Sequence, residues 1–142
     1  MSDFTKRFPY VIQAKVEWAD MDAFQHVNNT NYLRYFERVR MEYFQQYGFF
    51  AYMNEHNVGP ILASTSCKFK APLSYPDKIL IGMGVQSIED DRFNMLFAVY
   101  SDKFGCVAAE GEGLIIYYDY GKGEKTNIPD QFRVFADSLM MD

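Results

Sequence analysis

The chain has 142 residues, 49% of them hydrophobic and 23% charged, which is the composition of a single globular domain. Its 14 basic and 19 acidic residues give a net charge of −5, which argues against nucleic-acid binding, because that function needs clustered Lys and Arg. No apolar run reaches the length of a membrane span, and the N-terminal residues lack the apolar core of a signal peptide. We therefore expect one domain over residues 1–142, in the cytoplasm, without nucleic-acid or membrane partners.

The two cysteines, Cys67 and Cys106, are too few for a disulfide scaffold and lack the spacing of metal ligands. Both fall in strand-like segments, so we expect buried free thiols, which suit a reducing compartment. The two histidines, His26 and His56, are also far apart in the sequence. No metal site is therefore expected, and nothing in the sequence requires a cofactor.

The first regular elements in the sequence are a strand and a long helix. Residues 10–18 alternate and are rich in β-branched and aromatic side chains, which predicts a strand. Residues 30–47 have apolar side chains at helical spacing, which predicts an amphipathic helix. Its buried stripe is expected to comprise Tyr32, Leu33, Phe36, Val39, Tyr43, Phe44 and Tyr47. Any of residues 28–30 can cap this helix, and Gly48 is a natural end for it.

After a shorter helical piece at residues 50–54, the apolar period changes to two. Four further strands, joined by short turns, are predicted at residues 59–70, 79–85, 93–99 and 106–118. Gly111 and Gly113 leave one face of the last strand bare, which indicates that another element packs closely there. A polar tail follows, with a short helix at residues 129–139. This order predicts an α+β domain in which one helix is wrapped by a mostly antiparallel sheet.

A single long helix can cover only one face of such a sheet. The far face and the edge strands would then be exposed, and exposed strand edges pair readily with another chain. We therefore expect a homodimer or a homotetramer.

The segment between the first strand and the long helix has a high density of polar residues. Residues 20–29 include Asp20, Asp22, His26, Asn28 and Asn29. Free N–H groups at a helix start can stabilise an oxyanion while a nearby carboxylate acts as base or nucleophile. From the residues alone, a capping role for Asp22 is the better interpretation, and Asp20 is expected to be structural. The asparagines would serve as turn and capping residues even in an inert protein.

The sequence of this region also has a recognisable pattern. Residues 16–22 read Val-Glu-Trp-Ala-Asp-Met-Asp, residues 26–29 read His-Val-Asn-Asn, and residues 32–37 read Tyr-Leu-Arg-Tyr-Phe-Glu, with Arg40 following. This pattern resembles the 4-hydroxybenzoyl-CoA thioesterase-like family of hotdog-fold acyl-CoA thioesterases. Residues 69–73 and the aspartate at position 77 are similar to the strand and turn of the same family. The resemblance covers about residues 8–120. It implies a hotdog fold, in which a curved, mostly antiparallel five-stranded sheet wraps one long central helix.

The resemblance also implies roles for three residues. Asp22 matches the catalytic carboxylate, which is either the nucleophile or the general base for water. The backbone N–H of Asn29 matches the oxyanion donor. His26 would orient Asp22, donate to the thioester carbonyl or position water. The chain departs from the family pattern at Glu17, where a basic residue is common, and at Gln25, where a glycine is common.

Coenzyme A has several phosphates, so an acidic protein needs basic groups at the mouth of its site. Such groups are available on the helix and on the strands and turns: Arg34, Arg38, Arg40, Lys68, Lys70, Lys78 and Arg92. Ser64 and Ser66 on the second strand are expected to contact the acyl group or the pantetheine arm.

The expected function is that of an acyl-CoA thioesterase, which releases coenzyme A and a carboxylic acid. The resemblance places its active site between subunits. Two alternatives remain open, an acyl-carrier-protein thioesterase and a non-catalytic acyl-CoA binding protein in which Asp22 only caps the helix. A hydratase of the same fold is disfavoured, because such enzymes use a different histidine-containing motif. The 13 Phe and 11 Tyr residues suit either aromatic or medium-chain acyl groups.

Overall fold

The computed structural model describes residues 2–142, and all of the predicted helices and strands are present in it. In chain order the elements are α1 (Ser2–Arg7), β1 (Tyr10–Val16), α2 (Asn29–Gln46), α3 (Phe49–His56), β2 (Val58–Phe69), β3 (Asp77–Ile88), β4 (Arg92–Ser101), β5 (Cys106–Asp119), β6 (Glu124–Lys125) and α4 (Asp130–Ser138). Two of them, α1 and β6, were not predicted from the sequence.

The five long strands form one antiparallel sheet in the order β1-β3-β4-β5-β2. Strand β5 extends past the first residue of β4, and its last two residues pair with the two-residue strand β6. β1 and β2 are therefore the two edges of the sheet. The predicted α+β architecture, with one long helix wrapped by an antiparallel sheet, is confirmed.

Helix α2 packs into the concave side of the sheet through an aromatic and aliphatic stripe. Phe36 and Val39 are almost fully buried there, and the ring of Phe36 stacks on Phe97 of β4 with centroids 5.1 Å apart. A side chain at Gly111 of β5 would collide with that ring, so the bare strand face predicted at this glycine receives the helix. Close contact between helix and sheet at this point depends on the missing Cβ.

The predicted stripe of α2 is correct at most positions and wrong at two. Leu33 and Tyr47 are 38% exposed, because they lie at the margins of the helical stripe. Tyr35 and Arg40 are buried instead. A tyrosine hydroxyl and an arginine are not expected in a core, and both therefore require an explanation.

The ends of α2 follow the predicted cap signals. Asn28 is the N-cap, and its side-chain oxygen accepts a hydrogen bond from the N–H of Thr30 at 3.0 Å. At the other end Gly48 adopts φ 81°, a left-handed conformation that glycine enters without strain.

The far face of the sheet is covered in part by the ends of the same chain, contrary to expectation. Phe4 and Phe8 pack against Gly82 of β3, and Met141 packs against Gly84. Helix α1 was missed because a six-residue polar segment shows no helical period. The short C-terminal helix predicted at residues 129–139 is confirmed as α4, with Phe132 buried.

Both cysteines are free, as expected. Cys67 is half-buried, but Cys106 is exposed, and its predicted burial is wrong because it is the first residue of β5, directly after a turn. Within residues 2–142, no helix combines the length and the apolar character needed to cross a membrane.

Candidate active site

The polar segment between β1 and α2 forms a closed loop fixed to the body of the protein. An antiparallel bridge joins Met21 to Val27. The N–H of Val27 also donates to the carbonyl of Leu73 at 2.8 Å, and the N–H of Leu73 donates to the hydroxyl of Tyr32 at 3.2 Å. The loop is thus held between α2 and the turn that follows β2.

Asp20 has the structural role expected for it. Its Oδ2 accepts hydrogen bonds from the N–H of Glu17 at 2.8 Å and from the hydroxyl of Tyr35 at 3.1 Å. Its carbonyl accepts from the N–H of Asn28 at 2.9 Å and from the side chain of Asn31 at 2.8 Å. Burial and the neighbouring Asp20 charge raise the pKa of Tyr35 well above its usual value, so the hydroxyl remains a donor. Its bond to Asp20 explains why a tyrosine is buried at this point of α2.

Asp22 lies two residues further along, half-buried, with its carboxylate only partly engaged. Oδ1 accepts a hydrogen bond from the N–H of Phe24 at 2.9 Å. The backbone of Asp22 is fixed on both sides, since its N–H donates to His26 at 2.9 Å and its carbonyl accepts from Gln25 at 3.0 Å. Oδ2 accepts no hydrogen bond from any of residues 2–142. One carboxylate oxygen is therefore oriented, while the other is available for chemistry.

Gln25 is the tip of this turn and adopts φ 64°. Residues other than glycine rarely adopt this left-handed conformation, and it costs about 1–2 kcal/mol for an L-residue. The preference for glycine at this position of the family pattern therefore has a direct conformational cause. Gln25 adopts the same left-handed conformation at a cost in backbone strain.

Asp22 and His26 both line a pocket of about 640 Å³, which we call the Asp22 pocket. The loop and the turn after β2 supply its lining residues, among them Trp18, Met21, Phe24, Ser74 and Tyr75. Within the described chain, His26 makes no hydrogen bond to the Asp22 carboxylate. No contact therefore supports a role for His26 in orienting Asp22. Donation to the thioester carbonyl and positioning of water remain predictions.

Asn29 is the first residue of α2, and its backbone N–H donates no hydrogen bond to any residue in the range 2–142. This is the ordinary state of an N–H in the first turn of a helix. Asn29 does not line the Asp22 pocket, so the structure brings Asp22 and His26 together without placing Asn29 among them.

The sequence-predicted substrate contacts fall in two places. Ser64, Ser66 and Lys68 are exposed on the edge strand β2, and Ser66 and Lys68 line a second pocket of about 400 Å³. Lys70 follows β2 and pairs with Glu110 at 3.3 Å. These residues lie at the end of β2 that leads into the turn of the Asp22 pocket.

Arg92 lies elsewhere. It is the first residue of β4 and binds the carboxylate of Asp91 through two hydrogen bonds, of 2.8 Å and 3.2 Å. The loop that contains Asp22 lies next to the other end of β4, at Ser101. At 3.3 Å per residue, Ser101 is about 30 Å from Arg92. Within one chain Arg92 is therefore remote from Asp22.

Arg40 is another residue whose placement differs from expectation. Its side chain is 6% exposed, so it presents little surface to a phosphate in solvent. Sequence reasoning also missed Trp18, Phe24, Ser74 and Tyr75 as pocket residues. The last two come from a turn far along the chain, which only the resemblance at residues 69–73 connected to this region.

Comparison with known proteins gives a consistent result. A family model described as the thioesterase-like superfamily matches residues 16–135. The long-chain acyl-CoA thioesterase FadM of Escherichia coli is 28% identical over 76 residues, which are 54% of this chain and 58% of that protein.

Two solved structures show the same fold. A Pseudomonas aeruginosa protein superposes with a TM-score of 0.86 at 20% identity, over 96% of this chain and 95% of that one. A thioesterase of Thermus thermophilus, crystallised with coenzyme A and zinc, superposes with a TM-score of 0.80 at 24% identity, over 95% of this chain and 97% of that one.

Proposed function

The chain belongs to the thioesterase-like superfamily and is a thioester hydrolase, and on that premise we propose that it hydrolyses acyl-CoA esters to coenzyme A and a carboxylic acid. The observation that carries this proposal is the half-engaged carboxylate of Asp22. One oxygen is fixed by the N–H of Phe24, and the other accepts no hydrogen bond within residues 2–142, in a pocket that Asp22 lines together with His26. The coenzyme A bound to the Thermus thermophilus thioesterase supports the choice of thioester.

Hydrolysis needs a nucleophile, a place for the oxyanion and a route for one proton. In the proposed reaction, Oδ2 of Asp22 takes a proton from water, and the water oxygen attacks the thioester carbon. The oxyanion accepts a hydrogen bond from the N–H of Asn29, where the helix end also stabilises negative charge. The carbon–sulfur bond then breaks, and the thiolate receives the proton and leaves as coenzyme A. Direct attack by Asp22, followed by hydrolysis of an anhydride, gives the same products.

The Asp22 pocket suits this role because it combines polar and apolar groups. His26 is exposed in it and is proposed to position water or to donate to the thioester carbonyl. Trp18 and Phe24 are 71% and 82% exposed, and such rings at a pocket mouth offer apolar contact to a substrate.

We further propose that two copies of the chain pair along β2. This edge strand has one neighbour in the sheet, β5, and its residues 62–66 are exposed. A second β2 would continue the antiparallel sheet and bond the free backbone groups of the edge. In such a homodimer, which can pair again into a homotetramer, Ser64, Ser66, Lys68 and Lys70 lie near the junction. Arg92 would contact a substrate only if a second copy supplied it.

The proposal is tested by thiol release from short, medium, long and aromatic acyl-CoA esters, with an acyl-carrier-protein thioester in parallel. We expect turnover of at least one coenzyme A ester, and the preferred ester defines the substrate class. Turnover of the carrier-protein thioester alone would contradict the choice of coenzyme A. Analytical sedimentation of the same preparation tests for the dimer. A protein that sediments as a monomer at micromolar concentration would contradict the proposed pairing.

A further inference from the structure

A groove on the outer face of the sheet runs along β1 and β3, and its volume is about 580 Å³. That size is within the range of small-molecule sites in proteins. We call it the lysine groove, because its lining includes Lys15 and Lys78, together with Gln13, Leu80 and Asp102. β1 is the edge of the sheet opposite to β2, so pairing of two copies along β2 does not involve this groove.

Lys15 and Lys78 lie directly opposite each other in the β1–β3 ladder. Both side chains are exposed on the outer face, because the next residues along the strands, Val16 and Ile79, are buried in the core that contains α2. Neither lysine makes an ion pair or a side-chain hydrogen bond within the described chain. Like charges directly opposite each other in a sheet repel and are destabilising. The fold therefore keeps two unpaired cations side by side.

The acidic groups near the two lysines do not pair with them. Asp102 is in the same lining, and its N–H donates to the carbonyl of Lys78 at 2.9 Å, but its carboxylate makes no ion pair with either lysine. Glu17 follows Lys15 by two residues and is exposed to solvent. Lys103, directly after Asp102, adds a third cation. In a chain with a net charge of −5, this is a local excess of positive charge.

One short turn connects the lysine groove to the Asp22 pocket. Lys103 donates from its Nζ to the hydroxyl of Ser74 at 3.3 Å, and Ser74 lines the Asp22 pocket. Along the chain Ser74 is four residues from Lys78, which is at most about 14 Å of extended backbone. The pantetheine arm of coenzyme A is a linear chain with two amide groups, and it can span such a distance. A ligand with its thioester at Asp22 can therefore place its other end in the lysine groove.

The lining of the groove defines the chemistry of that other end. Two ammonium groups side by side match a phosphate monoester, which has nearly two negative charges at neutral pH. The groove is much larger than a phosphate, and its other groups suit a base, because Leu80 offers apolar contact and the amide of Gln13 both donates and accepts hydrogen bonds. A simple anion would leave those groups unused. The arrangement fits a nucleotide with a phosphate monoester on its sugar.

We propose that the lysine groove binds the 3′-phosphoadenosine end of coenzyme A, with Lys15 and Lys78 on the 3′-phosphate. This assignment rests on the function proposed above, because the ester must reach Asp22 at the same time. Sequence reasoning expected Lys78 among the basic groups near the site and missed Lys15. The strand pattern does not show which lysines will face each other across a ladder, so the pair becomes visible only in the folded chain.

An acidic protein is the other partner that such lysines attract, and an acyl carrier protein would supply an acidic surface. A docking protein covers a wide area on its partner, whereas the two lysines lie in a groove with the volume of a small-ligand site. The shape of the site therefore favours the nucleotide, and the carrier protein is tested as the alternative.

The first experiment is a calorimetric titration of the full chain with adenosine 3′,5′-bisphosphate and with adenosine 5′-monophosphate, which lacks the 3′-phosphate. We expect saturable binding of the bisphosphate and at least about tenfold weaker binding of the monophosphate, which loses the charge-assisted bonds. The double variant Lys15→Met/Lys78→Met should lose bisphosphate binding. Lys122→Met, which removes an exposed lysine from the turn after β5, should leave it unchanged. Equal binding of both nucleotides, no saturable binding, or binding that survives in the double variant would overturn the proposal.

Urea unfolding of the double variant is the control for its fold. Because the two lysines are exposed and repel each other, their replacement should leave the unfolding midpoint unchanged or raise it. A clearly lower midpoint would mean that the lysines have a structural partner, which contradicts their role as unpaired cations that bind a ligand.

Hydrolysis of one acyl ester of coenzyme A and of dephospho-coenzyme A, which lacks the 3′-phosphate, links the groove to turnover. For the coenzyme A ester, the double variant should raise KM at least about tenfold with kcat unchanged, because the groove is remote from the thioester. For the dephospho ester, wild type and double variant should have the same KM. Equal effects of the double variant on both esters would overturn the assignment to the 3′-phosphate.

The carrier-protein alternative and the proposed function are separated by the same variant. A double variant that loses turnover of an acyl-carrier-protein thioester, and keeps the wild-type KM for the coenzyme A ester, would assign the lysines to a carrier protein and overturn the proposal. Failure of the wild type to hydrolyse any thioester, with bisphosphate binding intact, would count against the proposed function alone, because the titration does not depend on turnover.

Discussion

Tyr35 of α2 donates a hydrogen bond from its hydroxyl to Oδ2 of Asp20, with the two oxygens 3.1 Å apart. This bond joins the second turn of the long helix to the loop that precedes it. Since Asp22 is two residues away, the bond also fixes the position of the proposed catalytic carboxylate relative to the helix start.

Tyr35→Phe tests the importance of that bond. The substitution removes one buried hydrogen bond to a charged acceptor, so we expect the free energy of unfolding to fall by about 1.5–3 kcal/mol. A looser loop should also lower kcat/KM. Urea unfolding and thiol release measure the two effects. Tyr47→Phe is the matched control, because Tyr47 directly follows the same helix and is exposed; an equal loss there would contradict the account.

Tyr117→Phe should have the opposite effect. The hydroxyl of Tyr117 is fully buried and has no hydrogen-bond partner among the described residues. Replacing it removes an unsatisfied polar group, so the free energy of unfolding should rise by about 1 kcal/mol. Urea unfolding again provides the measurement. A clear loss of stability would show that the hydroxyl has an acceptor in solution, such as a buried water.

The strain at Gln25 predicts an order of stability. Gln25→Gly should raise the free energy of unfolding by up to about 1 kcal/mol, since glycine adopts φ 64° without strain. The greater conformational freedom of glycine in the unfolded state offsets part of this gain. Gln25→Val should lower it by about 1–2 kcal/mol, because a β-branched residue is disfavoured there. Thermal unfolding of the three proteins gives the order. A valine variant as stable as the glycine variant would mean that the turn changes conformation.

Gly111→Ala should be strongly destabilising. The new Cβ would collide with the ring of Phe36 and with the backbone carbonyl of Ser66, and overpacking of this kind costs about 1–3 kcal/mol. At Gly113 a Cβ would meet only the ends of two side chains, Phe97 at 3.0 Å and Leu62 at 3.2 Å. Gly113→Ala is therefore the milder partner in a comparison by urea unfolding. Equal losses would show that the helix can move away from the sheet at Phe36.

The fold was predictable because its main elements are long and periodic. The apolar spacing of α2 and the alternation of the long strands are local signals. The stop at Gly48 was predicted correctly, and the N-cap, predicted only as one of residues 28–30, is Asn28. Helix α1 has six residues and β6 has two, which is too few to show a period. Both depend on tertiary contacts, as at Phe4 and Phe8 of the N-terminal segment, which pack on the outer sheet face.

The candidate site was predictable only in part. The segment with Asp22 and His26 stood out by composition, and both residues do line one pocket. Charge partners were not visible in the sequence. Arg92 is held by its neighbour Asp91, and Lys70 is held by Glu110 from another strand. Whether a basic residue is free to bind a phosphate depends on such pairs, which form only after folding.

The central claim is that Asp22 supplies the catalytic carboxylate. Asp22→Asn keeps the shape of the side chain and an oxygen that can accept from the N–H of Phe24, so the loop should remain folded. The most direct measurement is the single-turnover rate of thiol release from the preferred acyl-CoA, with wild type and Asp22→Asn side by side and coenzyme A binding as the control. We predict a rate lower by about 10²–10⁴-fold with binding unchanged. A variant that turns over at the wild-type rate would contradict the account.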